Sequence, residues 1–321
     1  MTRSKPLISV VVPSYNDKPI IMPFYEAIRK VLDSTDQFDY EIIYVDDGSS
    51  DGSQETLAAI AEQDPRVTYI ELFRNFGQQR ALFAGMSKSK GDYVVTLDGD
   101  YQYDPEAILQ LVSAMGGQYD MASGIRVKRT GSFLEKWSSR LGNYIIRRIL
   151  GIAIQDFGSV KAFSRTLVSK ILNLRHSYSD VYPTALSLHP SLVEVLVDHK
   201  ERYHGRSHWN IWMRFRIYLD LYIAYGNDEF SLPFRFGALV TVSGIGLLFF
   251  SFAYKTFLGH EATYAQLGIM SILWTLIGVF FAFWSLVMSF LVRIYKQNAW
   301  GEPYLIRRIV AKGGDVSDEG S

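Results

Sequence analysis

The sequence predicts an α/β fold built on a mostly parallel sheet, followed by a region that enters a membrane. Three observations predict it. Between residues 7 and 124, short apolar runs alternate with helically spaced segments, the pattern of strand–helix units whose sheet is covered on both faces. Polar and acidic residues collect directly after those runs, outside the carboxyl ends of the strands, where such sheets bind ligands. Two long uncharged stretches then follow near the C-terminus, each long enough to cross a bilayer.

The elements follow in order. Leu7-Ile8-Ser9-Val10-Val11-Val12-Pro13 is a buried strand closed by proline, and Ser14 to Asp17 is a loop. From Ile20 to Leu32 the spacing is helical, with Ile21, Phe24, Ile28 and Val31 on one face. Tyr40 to Val45 is a second strand, ending in Asp46-Asp47-Gly48-Ser49-Ser50-Asp51-Gly52-Ser53. Ser53 is the expected cap of a helix running to about Ala61. Val67 to Phe73 is a third strand, and Arg74-Asn75-Phe76-Gly77 leads into a helix from Gln78 to about Ser87. Tyr93 to Leu97 is a fourth strand, Pro105 suits the first turn of the next helix, and Asp120 to Gly124 is a short fifth strand. A helix is expected over Tyr178–His189, broken by Pro183 and Pro190, and a strand over Leu192–Val197.

The C-terminal part differs in composition. Ile211 to Tyr225 mixes aromatic and aliphatic residues with Arg214, Arg216 and Asp220, as a helix lying in the membrane interface does. Phe236–Tyr254 is 19 residues without charge, and Ala262–Val292 is 31. A span needs roughly 20 apolar residues, and too little chain remains to cover two such helices as a core. Arg214, Arg216 and Arg235 precede the first span, and Arg293, Lys296, Arg307 and Arg308 follow the second. The link holds only Lys255 and Glu261, so the positive-inside rule places both termini in the cytoplasm. Lys312 to Ser321 reads as a disordered tail. The expected domains are therefore 1–208 catalytic, 209–233 juxtamembrane, 234–293 membrane-spanning and 294–321 a cytoplasmic tail.

Composition narrows the function. Formal net charge is zero, so no basic field argues for nucleic acid. Cysteine is absent, which excludes disulfides and thiolate metal sites and fits a reducing compartment. The first residues lack the pattern of a signal peptide.

The chemistry centres on Thr96-Leu97-Asp98-Gly99-Asp100-Tyr101-Gln102-Tyr103-Asp104-Pro105. Asp98 and Asp100 are two apart at a strand end and point the same way. Two such carboxylates repel unless a cation lies between them, and a hard divalent ion that also takes phosphate oxygens is the usual answer. The competing reading is a solvated acidic turn. Further acidic loops after the first two strands, with Asp17, Asp46 and Asp47, favour a nucleotide-and-metal site. Neither G-x-G-x-x-G nor G-x-x-x-x-G-K-[ST] occurs.

Four strings carry a resemblance: Val-Val-Pro-Ser-Tyr-Asn-Asp, Val-Asp-Asp-Gly-Ser-Ser-Asp-Gly, Arg-Asn-Phe-Gly-Gln and Leu-Asp-Gly-Asp-Tyr-Gln. Together, over residues 7 to about 310, the chain resembles the inverting glycosyltransferases of family two with the GT-A fold. Among them it is most similar to polyprenyl-phosphate glycosyltransferases and dolichol-phosphate mannose synthase. The resemblance implies that Pro13, Tyr15, Asp17 and Asp46 hold base and ribose. It implies that Asp98 and Asp100, with Gln102, hold Mg²⁺ or Mn²⁺ and the diphosphate. Glutamate is usual where Asp17 stands and alanine where Gly99 stands, and the glycine is expected to add only flexibility. Asp156, in Gln155-Asp156-Phe157-Gly158-Ser159, matches an acidic position near the acceptor; alone it also reads as a turn residue. The string Glu201-Arg202-Tyr203-His204-Gly205-Arg206-Ser207-His208-Trp209 resembles a loop that closes over donor diphosphate and acceptor phosphate. Arg202 and Ser207 match it. His208 replaces a lysine that Arg206 is placed to make up for, and it also reads as a surface imidazole. The basic stretch from Arg126 to Arg148 is either a solvated face or a contact for anionic lipid and phosphate.

The expected activity is transfer of a sugar from a nucleotide-sugar, with UDP as the first candidate, to a polyprenyl phosphate of undecaprenyl type at a bacterial-type inner membrane. Asp100, Asp156 and Arg202 are the expected catalytic residues; Arg126, Arg202, Arg206 and Ser207 serve acceptor and diphosphate. The resemblance also implies a homo-oligomer, a tetramer. Two other readings compete. A processive polysaccharide synthase carries Gln-x-x-Arg-Trp, which is absent here. A non-catalytic membrane scaffold has no need of an intact acidic pair.

Overall fold

A computed structural model describes residues 5–99, 103–126, 160–174, 180–197, 231–258, 261–298, 304–312 and 314–316. They fall into two compact units, one from Met1–Tyr218 and Gly301–Ser321, the other from Leu219–Trp300.

The first unit is built in alternation. In chain order come β1 (Leu7–Ser14), α1 (Lys18–Leu32), β2 (Asp39–Asp46), α2 (Ser53–Gln63), β3 (Val67–Leu72), α3 (Gln78–Lys88), β4 (Tyr93–Thr96), α4 (Glu106–Met115) and β5 (Met121–Arg126). Then follow β6 (Lys161–Ser164), α5 (Arg165–Asn173), α6 (Val181–Ser187) and β7 (Leu192–Val197). After the second unit the chain adds β8 (Ile306–Ala311) and β9 (Gly314–Val316). The strands form one sheet in the order β7-β5-β6-β4-β1-β2-β3-β8-β9. Strands β4, β1, β2 and β3 run parallel. The expectation of a mostly parallel sheet holds at this centre, while β6, β8 and β9 pair antiparallel.

Alternation along the strands explains the two layers. Ile8, Val10, Val12, Ile42, Tyr44, Val67, Tyr69, Val95 and Leu97 face α1, α2 and α4 in the main core. Each such residue, fully buried, contributes about 1.5–3 kcal/mol. On α1 the buried stripe is Ile20, Ile21, Phe24, Tyr25, Ile28 and Leu32, so Leu32 takes the place expected for Val31. Helix α3, with α5 and α6, covers the other face.

Four local expectations change. Gly52, at φ +88°, is the cap position of α2, and Ser53 is the first helical residue. Asp51 does the capping, accepting from the Ser53 amide at 3.0 Å and hydroxyl at 2.6 Å. Pro105 lies just before α4 rather than inside it. Pro183 does not break its helix; it is third in α6, where a backbone N–H has no helical partner in any case. Within the tail expected to be disordered, Gly314–Val316 forms β9 against β8, which itself pairs with β3.

At the amino edge, Arg66 just before β3 joins several groups. It bonds Asp64 through Nε at 3.0 Å and Nη2 at 2.9 Å, bonds Asp33 at 2.8 Å, and stacks on Tyr40. Burial alone would raise the Asp64 carboxyl, but Arg66 and the Tyr25 hydroxyl overcome it and hold it at about 2.

Among the described residues the second unit is a pair of helices, α7 (Ser231–Leu258) and α8 (Glu261–Asn298). Phe234–Thr256 and Tyr264–Leu291 are long and apolar enough to cross a membrane. Their large side chains stay exposed, Phe249 at 71% and Met270 at 69%, as lipid-facing residues are. The helices meet where Gly237, Gly244 and Gly278 leave no room for a Cβ.

Candidate active site

Four loops leave the carboxyl ends of β1, β2, β3 and β4, and each is tied to the next. The first and second are tied by main-chain and side-chain bonds. The Asn16 amide donates to the Ser49 hydroxyl at 2.9 Å, and the Ser50 amide to Asn16 Oδ1 at 2.9 Å. The Asp47 amide donates to the Ser14 carbonyl at 2.9 Å. Asn16 makes these bonds from a left-handed conformation, φ 55°, that asparagine tolerates. The second and third loops meet at Asp47, whose carboxylate accepts from the Phe76 amide at 2.7 Å and the Gly77 amide at 2.8 Å. Gly48, at φ +73°, lies flat against Arg74 and Asn75, and a Cβ there would stand 2.5 Å from the Arg74 carbonyl carbon. The third and fourth meet where Gln78, first in α3, donates to Asp98 Oδ1 at 2.6 Å. The fourth returns to the first at Gly99: a Cβ there would lie 2.7 Å from the Pro13 carbonyl oxygen and 3.6 Å from Asp17 Oδ2. Gly99 therefore does more than add flexibility. It permits the contact that closes the ring of loops.

Burial sets the electrostatics. Asp46 is fully buried, with Ser49 donating to its carboxylate through hydroxyl and amide. Burial pushes Asp46 up to about 6; the Ser49 bonds oppose the rise, and the charges of Glu71 and Asp47 add to it. Burial likewise raises Asp47, against the pull of the Phe76 and Gly77 amides. Beside Asp46 in the register, Ser14 has a buried hydroxyl with no hydrogen-bond partner, the kind of atom a bound ligand satisfies.

The expected site residues are placed as follows. Pro13 is buried with its carbonyl against Gly99, Tyr15 is 48% exposed at the rim, and Asp17 accepts from the Tyr15 amide at 3.0 Å. Asp46 and Asp98 stand on the same sheet edge, at the ends of β2 and β4. Asp100, Gln102, Asp156, Arg202, Arg206, Ser207 and His208 lie outside the described residues, as does the side chain of Arg126. The segments expected as an interfacial helix and as a phosphate-closing loop lie outside them too. Among the described residues no three acidic, histidine or cysteine side chains gather as a metal site.

Sequence reasoning passed over Ser14, Gln78, Glu71 and Lys161. Lys161 is 8% exposed and pairs with Thr96 at the carboxyl end of β4. Its ammonium lies 4.3 Å from the Tyr182 ring centroid, and the Tyr182 hydroxyl is 3.4 Å from Ser123 Oγ. The available signal was a lysine inside an apolar run.

The sequence profile described as Glycosyl transferase family 2 matches residues 9–172, half of the chain. The chain belongs to glycosyl transferase family 2. Among curated members, the undecaprenyl-phosphate 4-deoxy-4-formamido-L-arabinose transferase of Serratia proteamaculans is 31% identical over 319 residues, 97% of each chain. The enzyme of that name from Pseudomonas aeruginosa PAO1 is 32% identical, over 95% of this chain and 90% of its own. A solved glucosyl-3-phosphoglycerate synthase from Mycobacterium tuberculosis, in complex with Mn²⁺ and UDP-glucose, is 22% identical. It covers 68% of this chain and 79% of its own, at a TM-score of 0.50. This family 2 glycosyltransferase thus has the Rossmann-like GT-A domain followed by two apolar helices of membrane-spanning length.

Proposed function

We propose that the chain transfers a sugar from a nucleotide-diphosphate sugar, UDP being the first candidate, to a polyprenyl phosphate with inversion at the anomeric carbon. The observation that carries this reading is similarity over nearly the whole chain, spans included, to enzymes named as undecaprenyl-phosphate sugar transferases. The ring of four loops at one sheet edge supports it. Asp46 and Ser14 hold the base, and Pro13, Tyr15 and Asp17 hold base and ribose. Asp98, Asp100 and Gln102 offer only oxygen donors, a set that suits Mg²⁺ or Mn²⁺. When bound, the ion supplies charge neutralisation at the diphosphate. Gln78 orients Asp98 for that role.

An oxygen of the acceptor phosphate attacks the anomeric carbon as the bond to the diphosphate oxygen breaks, and the nucleoside diphosphate leaves with the electron pair. A phosphate monoester has its second pKa near about 6, so the nucleophile is already ionised at neutral pH. Asp156 then positions the acceptor. Arg202 neutralises charge on the leaving group, and Arg126, Arg206 and Ser207 receive the phosphates.

The catalytic domain and both termini are cytoplasmic in this reading. The chain leaves the sheet, passes through both helices and returns to the same sheet as β8, which requires an even number of crossings. Arg307 and Arg308 are engaged with Glu71, so the charge argument rests on Arg214, Arg216, Arg235, Arg293 and Lys296. The same reading includes a homo-oligomer. The test is to incubate membranes holding the protein with labelled UDP-, GDP- and dTDP-sugars and polyprenyl phosphate. Label in a single-sugar lipid is expected; label only in polymer, or none in lipid, overturns the reading.

A further inference from the structure

Strand β8 carries two consecutive arginines, and both reach one carboxylate on β3. Arg307 Nη1 lies 3.1 Å from Glu71 Oε1, and Arg308 Nε lies 2.7 Å from Glu71 Oε2. The register explains how both reach it. Arg308 pairs with Glu71 and Ile306 with Leu72, so Arg307 is the extra residue of a bulge. A bulge re-aims a side chain that regular alternation would send to the other face.

Glu71 is only 4% exposed, an unusual place for glutamate unless it is paired. On its far side it neighbours Asp46 of β2 in register. Asp46, Glu71 and Arg308 share one sheet face, alternating in step with the core residues Tyr44, Tyr69 and Val310. Ser14 continues the row on β1. A polar row Ser14–Asp46–Glu71–Arg308 thus crosses four adjacent strands, roughly 4.8 Å apart. Two like charges side by side on adjacent strands destabilise one another.

We propose that Arg307 and Arg308 are positioning residues for the donor site. By neutralising Glu71 they keep the neighbouring Asp46 carboxylate ionised and able to accept from the nucleotide base. The inference rests on the reading of Asp46 given above. It makes the strand that follows the membrane helices a part of the nucleotide site. Among the described residues, the titratable groups that act on Asp46 are Glu71 and Tyr69 of β3 and Asp47 of its own loop, and Arg308 of β8 reaches it through Glu71. Glu55 of α2 is exposed. Glu71 is the one that raises Asp46 from outside its own loop, and the arginines act on it directly.

The test uses the full chain in detergent micelles. Binding of UDP, GDP and dTDP with Mn²⁺ is measured between pH 5 and 8, and the tightest ligand of the unsubstituted protein is carried through. Affinity should fall on the acid side as Asp46 takes up a proton. The pair Arg307→Gln/Arg308→Gln should move that fall upward by about half to one pH unit, a modest figure because both guanidinium groups are half-exposed and screened. Near pH 5 affinity should drop about three- to tenfold, and near pH 6.5 about 1.5- to threefold, with little change at pH 8. Glu71→Gln should move the fall downward, and the triple variant should follow Glu71→Gln. Arg307→Lys/Arg308→Lys, which keeps both charges, checks that β8 still folds. If the arginines only pin a strand, the arginine and glutamate variants will lose affinity alike at every pH, and the proposal is wrong. Asp46→Asn separates the two readings. Loss of the pH dependence there, with no shift in the arginine variants, overturns this proposal alone; its persistence in Asp46→Asn overturns the base-binding reading as well.

Discussion

Asp47 joins the second loop to the third, and replacing it should loosen one region in a measurable way. Its carboxylate accepts two amides, Phe76 at 2.7 Å and Gly77 at 2.8 Å. Gly77 occupies the cap position of α3, so these bonds also fix where that helix begins. Hydrogen bonds to a charged group contribute about 1.5–3 kcal/mol each. Phe76 and Gly77 are half-buried, which argues for the lower end and a total of about 3 kcal/mol. Asp47→Asn keeps one acceptor oxygen but turns an NH₂ toward the other amide, so it should lose about half. Asp47→Ala loses both bonds. The readout is hydrogen exchange followed by mass spectrometry on peptides covering residues 73–88. About 3 kcal/mol corresponds to roughly 100-fold faster exchange by local opening in Asp47→Ala. About tenfold is expected in Asp47→Asn. Peptides from α4 serve as the internal control and should not change. Because Gln78 begins α3 and holds Asp98, the metal concentration needed for activity should rise in the same order. Equal exchange in all three proteins, or faster exchange spread evenly over the sheet, would refute the assignment of Asp47 as the local tie.

Gly48→Ala should destabilise by more than about 2 kcal/mol, since a Cβ in that left-handed conformation meets the Arg74 backbone; thermal unfolding of the first unit reads it. Asp64, held at about 2, contributes stability that is complete above pH 4 and lost as pH falls toward 2. Arg66→Gln should therefore cost about 1–2 kcal/mol at pH 7 after allowance for solvent screening, and the cost should vanish near pH 2; denaturant midpoints at both pH values check it. Excess EDTA should abolish sugar transfer, and Asp100→Asn should lower it more than tenfold with the circular dichroism spectrum unchanged. Arg202→Ala should depress single-turnover transfer strongly without rescue by added metal, and near-normal turnover would remove that loop from the chemistry.

The centre of the fold was legible because its strands are buried on both faces and read as unbroken apolar runs. The site was legible because each run ends in residues that suit neither a strand nor a core: Asn16 and Asp17, Asp46 and Asp47, Asp98. The strands that escaped notice are those whose chemistry is mixed. β8 reads Ile306-Arg307-Arg308-Ile309-Val310, and its bulge breaks the period-two pattern, so its arginines looked like a charged flank of the membrane region. β6 is four residues long and carries Lys161 at its end. Gly99 looked like a free turn because its constraint, the Pro13 carbonyl, comes from a strand more than 80 positions earlier. Pro183 looked like a breaker because its place in the first turn depends on where α6 starts. For Gly99 and for the arginines of β8 the deciding neighbour is distant in sequence.

The return of β8 to the sheet also sets a timetable for synthesis. Arg308 lies 237 positions after the Glu71 it neutralises. At about 5–20 residues per second, the outer edge of β3 emerges from the ribosome roughly 10–50 s before its partner strand exists. Through that interval β3 presents an open ladder edge, the feature through which unfinished chains aggregate, and the Glu71 charge has no arginine to meet it. Both apolar helices are made within the same interval. A nascent chain therefore completes its catalytic sheet only after its membrane segments have been translated, and a message truncated ahead of them yields a domain with an exposed edge rather than a free-standing enzyme.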